Sequence, residues 1–131
     1  MNFIDTIKKR AKERKKRIVL PESMDRRVME AADIVLKEEI ADLIIIGSQN
    51  DILKNTDGLD ISKATIIDPN TSHLTEKLTE DLYELRKEKG MTIEEARKLL
   101  LEDYMYYACM LVKQALQMVL YLVHVILVLT L

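Results

Sequence analysis

Apolar positions along this chain switch between two spacings, and each switch marks a change of element. Phe3, Ile4, Ile7 and Ala11 fall at helical intervals among cations, which predicts an amphipathic helix over residues 2–16. Ile18 to Leu20 is a short continuous apolar run stopped by Pro21, which cannot continue a ladder, and predicts a strand. The helical period returns at Val28, Ala31, Ala32, Val35 and Leu36 and predicts a helix with one buried face. Leu43 to Ile46 is apolar throughout, as a parallel strand covered on both faces requires. Gly47 and Ser48 lead into a short helix over 49–54, Asp57-Gly58 marks a turn, and Thr65 to Ile67 forms a third strand closed by Pro69.

Alternating helices and strands imply parallel strands joined by helical crossovers. The predicted fold class is therefore α/β, a partial three-layer parallel-sheet domain with flanking helices. From Ser72 onward the pattern is helical only. Leu74, Leu78, Leu82 and Leu85 trace one apolar stripe, and Gly90 suits a left-handed helix end. Thr92 with Glu95 three residues later forms a capping box for a second helix, and residues 104–113 continue as a third.

Charge narrows the chemistry. The 131 residues carry 20 Lys/Arg and 22 Asp/Glu, all before Gln114, for a net charge of −2. Such a balance gives no footprint for nucleic acid. The cationic run from Lys8 to Arg17 reads as a solvated helix face, and His73 as a surface residue at a helix start. A single cysteine, Cys109, excludes an internal disulfide and is expected to fill apolar space, and no Cys/His spacing suggests a metal. A reducing cytoplasm fits this usage.

Four stretches, "RIVLPESMDRRVMEAA", "EIADLIIIGSQNDI", "LDISKATIIDPNTS" and "LYELRKEKGMTIEEARKLL", stand in an order that resembles the phosphate acetyltransferase family, running into "YMYYACMLVK". The resemblance covers Met1 to Lys113 and corresponds to the amino-terminal portion of that family; phosphate butyryltransferases match "ELRKEKGMT" less well. It implies a two-domain, homodimeric α/β enzyme more than twice this length, working in the cleft between its domains. The reaction it implies interconverts acetyl-CoA and phosphate with acetyl phosphate and CoA, with CoA as substrate and no resident cofactor. Arginines hold the phosphate, since a guanidinium fork matches phosphate oxygens. The family arginine in "YELRK" carries over to Arg86; on helical pattern alone, Arg86 is a solvated cation. The family's further phosphate-binding arginine and its proposed general-base aspartate have no counterpart here, so no catalytic residue is assigned and the chain is expected to be inactive alone.

The resemblance divides the chain into 1–113, the family portion, and 114–131, "QALQMVLYLVHVILVLTL", with no charged side chain. Spanning a bilayer core takes about 20 apolar residues. This segment falls slightly short and is interrupted by Gln114, Gln117 and His124, so no membrane association is expected; a tail-anchored or partner-binding protein on the α/β half is the alternative. A buried native helix would be apolar all round where the family turns polar, with "ADGxVSGAxHS". A third reading is a reading frame that slipped after Lys113. If each intended codon joins the last base of one printed residue to the first two of the next, Met118–Val119 encodes glycine, Gln117–Met118 encodes Asp or Asn, and Leu116–Gln117 permits Ala. The family residue is available at every later junction as well. A sheet lacking its later strands also leaves an open edge, which predicts aggregation.

Overall fold

The computed structural model describes residues 2–116. They form two units, one ending at Ser72 and the other beginning at His73.

The first unit runs α1 (Phe3–Glu13), β1 (Lys16–Leu20), α2 (Arg26–Lys37), β2 (Ala41–Ile46), α3 (Gln49–Asn55) and β3 (Thr65–Ile67). The strands form one parallel sheet in the order β1-β2-β3, with Ile18 opposite Leu43, Leu20 opposite Ile45 and Ile46 opposite Ile67. Parallel neighbours need crossovers, and α2 and α3 are those crossovers. Alternation along the strands puts Leu43 and Ile45 on one face, where they pack with Met29, Ala32 and Leu36 of α2, Ile52 of α3 and Ile61. The α/β class, the parallel pairing and the element order all follow the sequence pattern.

Details of burial depart from it. The face of α2 that reaches the core is Met29, Ala32, Asp33 and Leu36, while Ala31 is exposed and Val28 and Val35 are half-buried. Asp33 is tolerated there because both carboxylate oxygens are engaged. Oδ1 accepts from Asp60 N at 3.2 Å, and Oδ2 meets Lys37 Nζ at 3.1 Å. In α1 the expected apolar stripe is uncovered: Phe3, Ile4 and Ile7 are all exposed, and no residue of the helix is buried.

The second unit contains α4 (Leu74–Arg86), a short 3-10 turn (Lys87–Lys89), α5 (Ile93–Glu102) and a further helix, α6, over residues 104–116 of the described chain. Its core is Leu78, Leu82, Ala96, Leu100, Tyr107 and Met110. Two threonines share this interior. Thr79 Oγ1 donates to Thr75 O at 2.7 Å, and Thr75 Oγ1 lies 3.0 Å from the Tyr107 hydroxyl. The cap at Thr92 forms as the spacing predicts, its side chain accepting from Glu95 N at 3.2 Å. Leu85, by contrast, is exposed, and so is Cys109, which corrects its reading as an apolar filler. Cys109 sits beside Ala108 and Met110 but one helical step off the face they bury.

Candidate functional site

Arg86 closes α4. The helix ends by a pair of hydrogen bonds, Gly90 N to Lys87 O at 3.1 Å and Met91 N to Arg86 O at 3.3 Å. These span three and five residues, the pattern of a helix end closed by a left-handed residue, and Gly90 supplies it with φ +89°. The carbonyl of Arg86 is thus held by its own turn. Its side chain is half-buried and has no hydrogen bond or ion pair among the described residues.

Several other cations are committed elsewhere. Lys87 Nζ meets Glu84 at 2.7 Å, an interaction that raises the lysine pKa through its hydrogen bond and charge. Arg97 makes a two-pronged contact with Glu76, Nε to Oε1 at 3.2 Å and Nη2 to Oε2 at 2.9 Å. That hydrogen bonding, with the attraction of the two charges, holds the Glu76 carboxyl below the usual glutamate range. Arg26 contacts Glu30 and the Asn55 carbonyl, and Arg27 contacts Asp25. Among the described residues the side chains of Arg10, Arg14, Arg17 and Arg86 keep their donors uncommitted, and of these four only Arg86 is half-buried.

At the carboxyl ends of the strands, the sequence pattern gave no warning of one close approach. Ser23, in the loop after β1, is fully buried and lies against Gly47 at the end of β2; a Cβ added to Gly47 would overlap the serine Oγ. Among the described residues the Ser23 Oγ has no hydrogen-bond partner, although the Ser23 carbonyl accepts from Asn55 Nδ2 at 3.3 Å. Gly47 N in turn donates to Ile67 O at 3.0 Å, so the glycine joins all three strand ends. Its role here is close approach, because its φ is not in the left-handed region. The glycine after a strand was the available signal, but only tertiary contact identifies Ser23 as its partner.

Among the described residues no group of three or more His, Cys, Asp or Glu side chains could hold a metal ion. No helix among them is long and apolar enough to cross a membrane. The apolar segment that raised the membrane question lies, from residue 117 onward, outside the described residues.

The phosphate acetyltransferase of Thermoanaerobacterium thermosaccharolyticum is 50% identical over 114 residues, covering 87% of this chain and 34% of that protein. That of Clostridium acetobutylicum is 46% identical over 115 residues, covering 86% and 34%. Among solved structures, a phosphotransacetylase from Streptococcus pyogenes superposes with a TM-score of 0.75 at 31% identity over 88% of this chain and 36% of that one. The EutD phosphotransacetylase from Staphylococcus aureus gives 0.71 at 32% identity, over 83% and 33%. The chain thus spans about a third of the length of the curated relatives it matches. Residues 2–119 match the family model described as phosphate acetyl/butaryl transferase, and the chain belongs to that family.

Proposed function

We propose that this chain is a phosphate acetyltransferase portion that contributes Arg86 to phosphate or acetyl phosphate binding and does not turn over alone. The reaction is acetyl-CoA + phosphate = acetyl phosphate + CoA, with the CoA thiolate and phosphate exchanging places on the acetyl carbon. The observation that carries the reading is that Arg86, half-buried in a family-like segment, has no side-chain partner among the described residues, while the adjacent Lys87 is paired with Glu84. A doubly ionised phosphate concentrates charge that a planar set of N–H donors can match. Acetyl is favoured over butyryl because the curated relatives bear the acetyl name.

Catalysis by proximity and aligned charge needs several groups at once. One arginine at a helix end supplies a single anchor, so the purified chain is expected to form no acetyl-CoA from acetyl phosphate and CoA; robust turnover overturns this. Arg86 is tested in a chimera in which this chain replaces the matched third of the Thermoanaerobacterium thermosaccharolyticum enzyme. Charge-assisted hydrogen bonds are worth roughly 1.5–3 kcal/mol, so Arg86→Gln should lower kcat/KM for phosphate by about tenfold or more, with a smaller effect on CoA. An Arg86→Gln chimera as active as its parent removes the assignment. The wider expectations, a cytoplasmic setting and family-type homodimerisation, rest on the same reading.

We also propose that the chain beyond Lys113 is a family segment translated in a shifted frame. The family match ends at residue 119 and leaves 120–131 outside it, six residues beyond the proposed junction. Sequencing the DNA around codon 113 decides the point: no "ADGxVSGAxHS"-like continuation in the neighbouring frame would exclude it.

A further inference from the structure

Residues 1–17 carry a charge opposite in sign to the rest of the chain. Eight of the 20 Lys/Arg and two of the 22 Asp/Glu lie there, a local charge of +6 against −8 elsewhere. Two of these cations are tied to the sheet unit, Lys8 to Glu38 at 3.0 Å and Lys15 to Asp42 at 3.4 Å. Lys9, Arg10, Lys12, Arg14, Lys16 and Arg17 are exposed, and their side chains have no hydrogen bond or ion pair among the described residues.

The same segment holds apolar side chains in water. Phe3 is 78% exposed, Ile4 60% and Ile7 50%. The helix that carries them is capped, with Asn2 Oδ1 accepting from Asp5 N at 2.8 Å. On α1 these three share one side with Ala11, and Arg10 and Arg14, three and seven residues beyond Ile7, adjoin that side.

The two properties together select the occupant. A nucleic acid would engage the cations and leave Phe3, Ile4 and Ile7 in water. A stable protein interface buries roughly 800 Å² on each partner. A helix of 11 residues, about 16 Å long, presents only one narrow side toward that need. A bilayer surface rich in anionic lipid takes both properties at once. Its headgroups attract the cations, and its acyl boundary accepts the apolar side without having to match its shape. A helix lying in the interface also needs no membrane-spanning length.

We infer that α1 is an interfacial helix that docks the chain on an anionic lipid surface. Phe3, Ile4 and Ile7 enter the acyl boundary, and the unpaired cations meet the headgroups. This is independent of the reaction proposed above.

The test floats the full chain with vesicles of phosphatidylcholine alone, or of equal parts phosphatidylcholine and phosphatidylserine; flotation leaves aggregated protein behind. Binding should be roughly tenfold tighter or more on the anionic vesicles and should weaken as salt is added. The chain contains no tryptophan, so Phe3→Trp places a single reporter on the apolar side. Its emission should shift to the blue on anionic vesicles and be quenched by brominated acyl chains. Ile4→Glu combined with Ile7→Glu should weaken vesicle binding by roughly tenfold or more. Thermal unfolding should stay unchanged, since both side chains are already exposed. Equal binding to neutral and anionic vesicles overturns the inference, and so does binding indifferent to the paired isoleucine substitutions. An unmoved tryptophan emission with tight binding to a duplex oligonucleotide would assign the cations to nucleic acid and overturn it. A concentration-dependent dimer that buries the reporter without lipid would assign the face to a second copy, with the same consequence.

Discussion

The sheet unit and the helical unit reach burial by different routes. In the helical unit, α4, α5 and α6 follow one another closely in sequence, and Leu78, Leu82, Ala96, Leu100 and Tyr107 bury one another. In the sheet unit, β1 and β2 meet only after a helix has been crossed, and β1 has no second ladder partner among the described residues. Local helix packing is satisfied by what lies nearby in sequence; parallel pairing depends on segments far away. The sheet unit accordingly leaves an apolar cavity of about 490 Å³ between β1 and α2, and the helical unit a smaller one of about 200 Å³ beside Leu85 and Met110.

The largest effects should come from truncating each core. Leu100→Ala and Ile45→Ala remove side chains that are fully buried, and each should cost about 2–5 kcal/mol. Amide exchange would then show Leu100→Ala releasing residues 73–116 with less effect on 41–46, and Ile45→Ala the reverse. Uniform loss by both variants would break the comparison, since it would mean one cooperative unit.

Overpacking at the strand ends should come next. Gly47→Ala is expected to destabilise by about 1–3 kcal/mol, because the new Cβ meets a buried Ser23. Ser23→Ala alone should be nearly neutral or slightly stabilising, since it removes a hydroxyl without a partner. Ser23→Gly combined with Gly47→Ala should recover much of the loss in denaturant unfolding. Strict additivity of the two changes would show that the contact does not determine the cost.

A smaller effect compares two helix ends of the same design. The end of α2 repeats the pattern at Gly90, with Glu39 N to Leu36 O at 3.2 Å and Ile40 N to Val35 O at 3.1 Å, but its left-handed residue is Glu39 at φ 56°. Only glycine adopts that conformation without a steric penalty from its Cβ. Glu39→Gly should therefore stabilise the sheet unit by a few tenths to about 1 kcal/mol, and Gly90→Ala should destabilise the helical unit by about 1 kcal/mol. Opposite signs in thermal melts would remove this account of both turns.

The smallest is electrostatic. Glu76 has a lowered pKa in the fold because Arg97 hydrogen-bonds and attracts its charged form. Its contribution is complete above the unfolded glutamate pKa and fades as pH falls through the lower folded value. Arg97→Gln should flatten the acid limb of stability in that window and change little near neutrality. An unchanged acid limb would assign the pH dependence to other carboxylates.

Much of the fold was legible because it depends on period. The three strands, the helices between them and the cap at Thr92 are local consequences of spacing and side-chain chemistry. Arg86 was legible only through its family-like segment, since a cation in a last helical turn has many ordinary reasons to be there. Asp33 was missed although Met29, Ala32, Asp33 and Leu36 share helical spacing, because a carboxylate counts as polar until Asp60 N and Lys37 are seen to satisfy it. Cys109 was misplaced for the converse reason, an apolar neighbourhood in sequence that its helical position turns outward.

By itself the sequence determined the alternation of elements, the α/β class and the family, because periodicity and ordered motifs are properties of the chain. Tertiary structure alone decided that Ser23 meets Gly47, and that among the described residues Arg86 has no side-chain partner and the outer edge of β1 no ladder partner. Those facts depend on which distant residues arrive at one place, and local spacing does not encode the meeting.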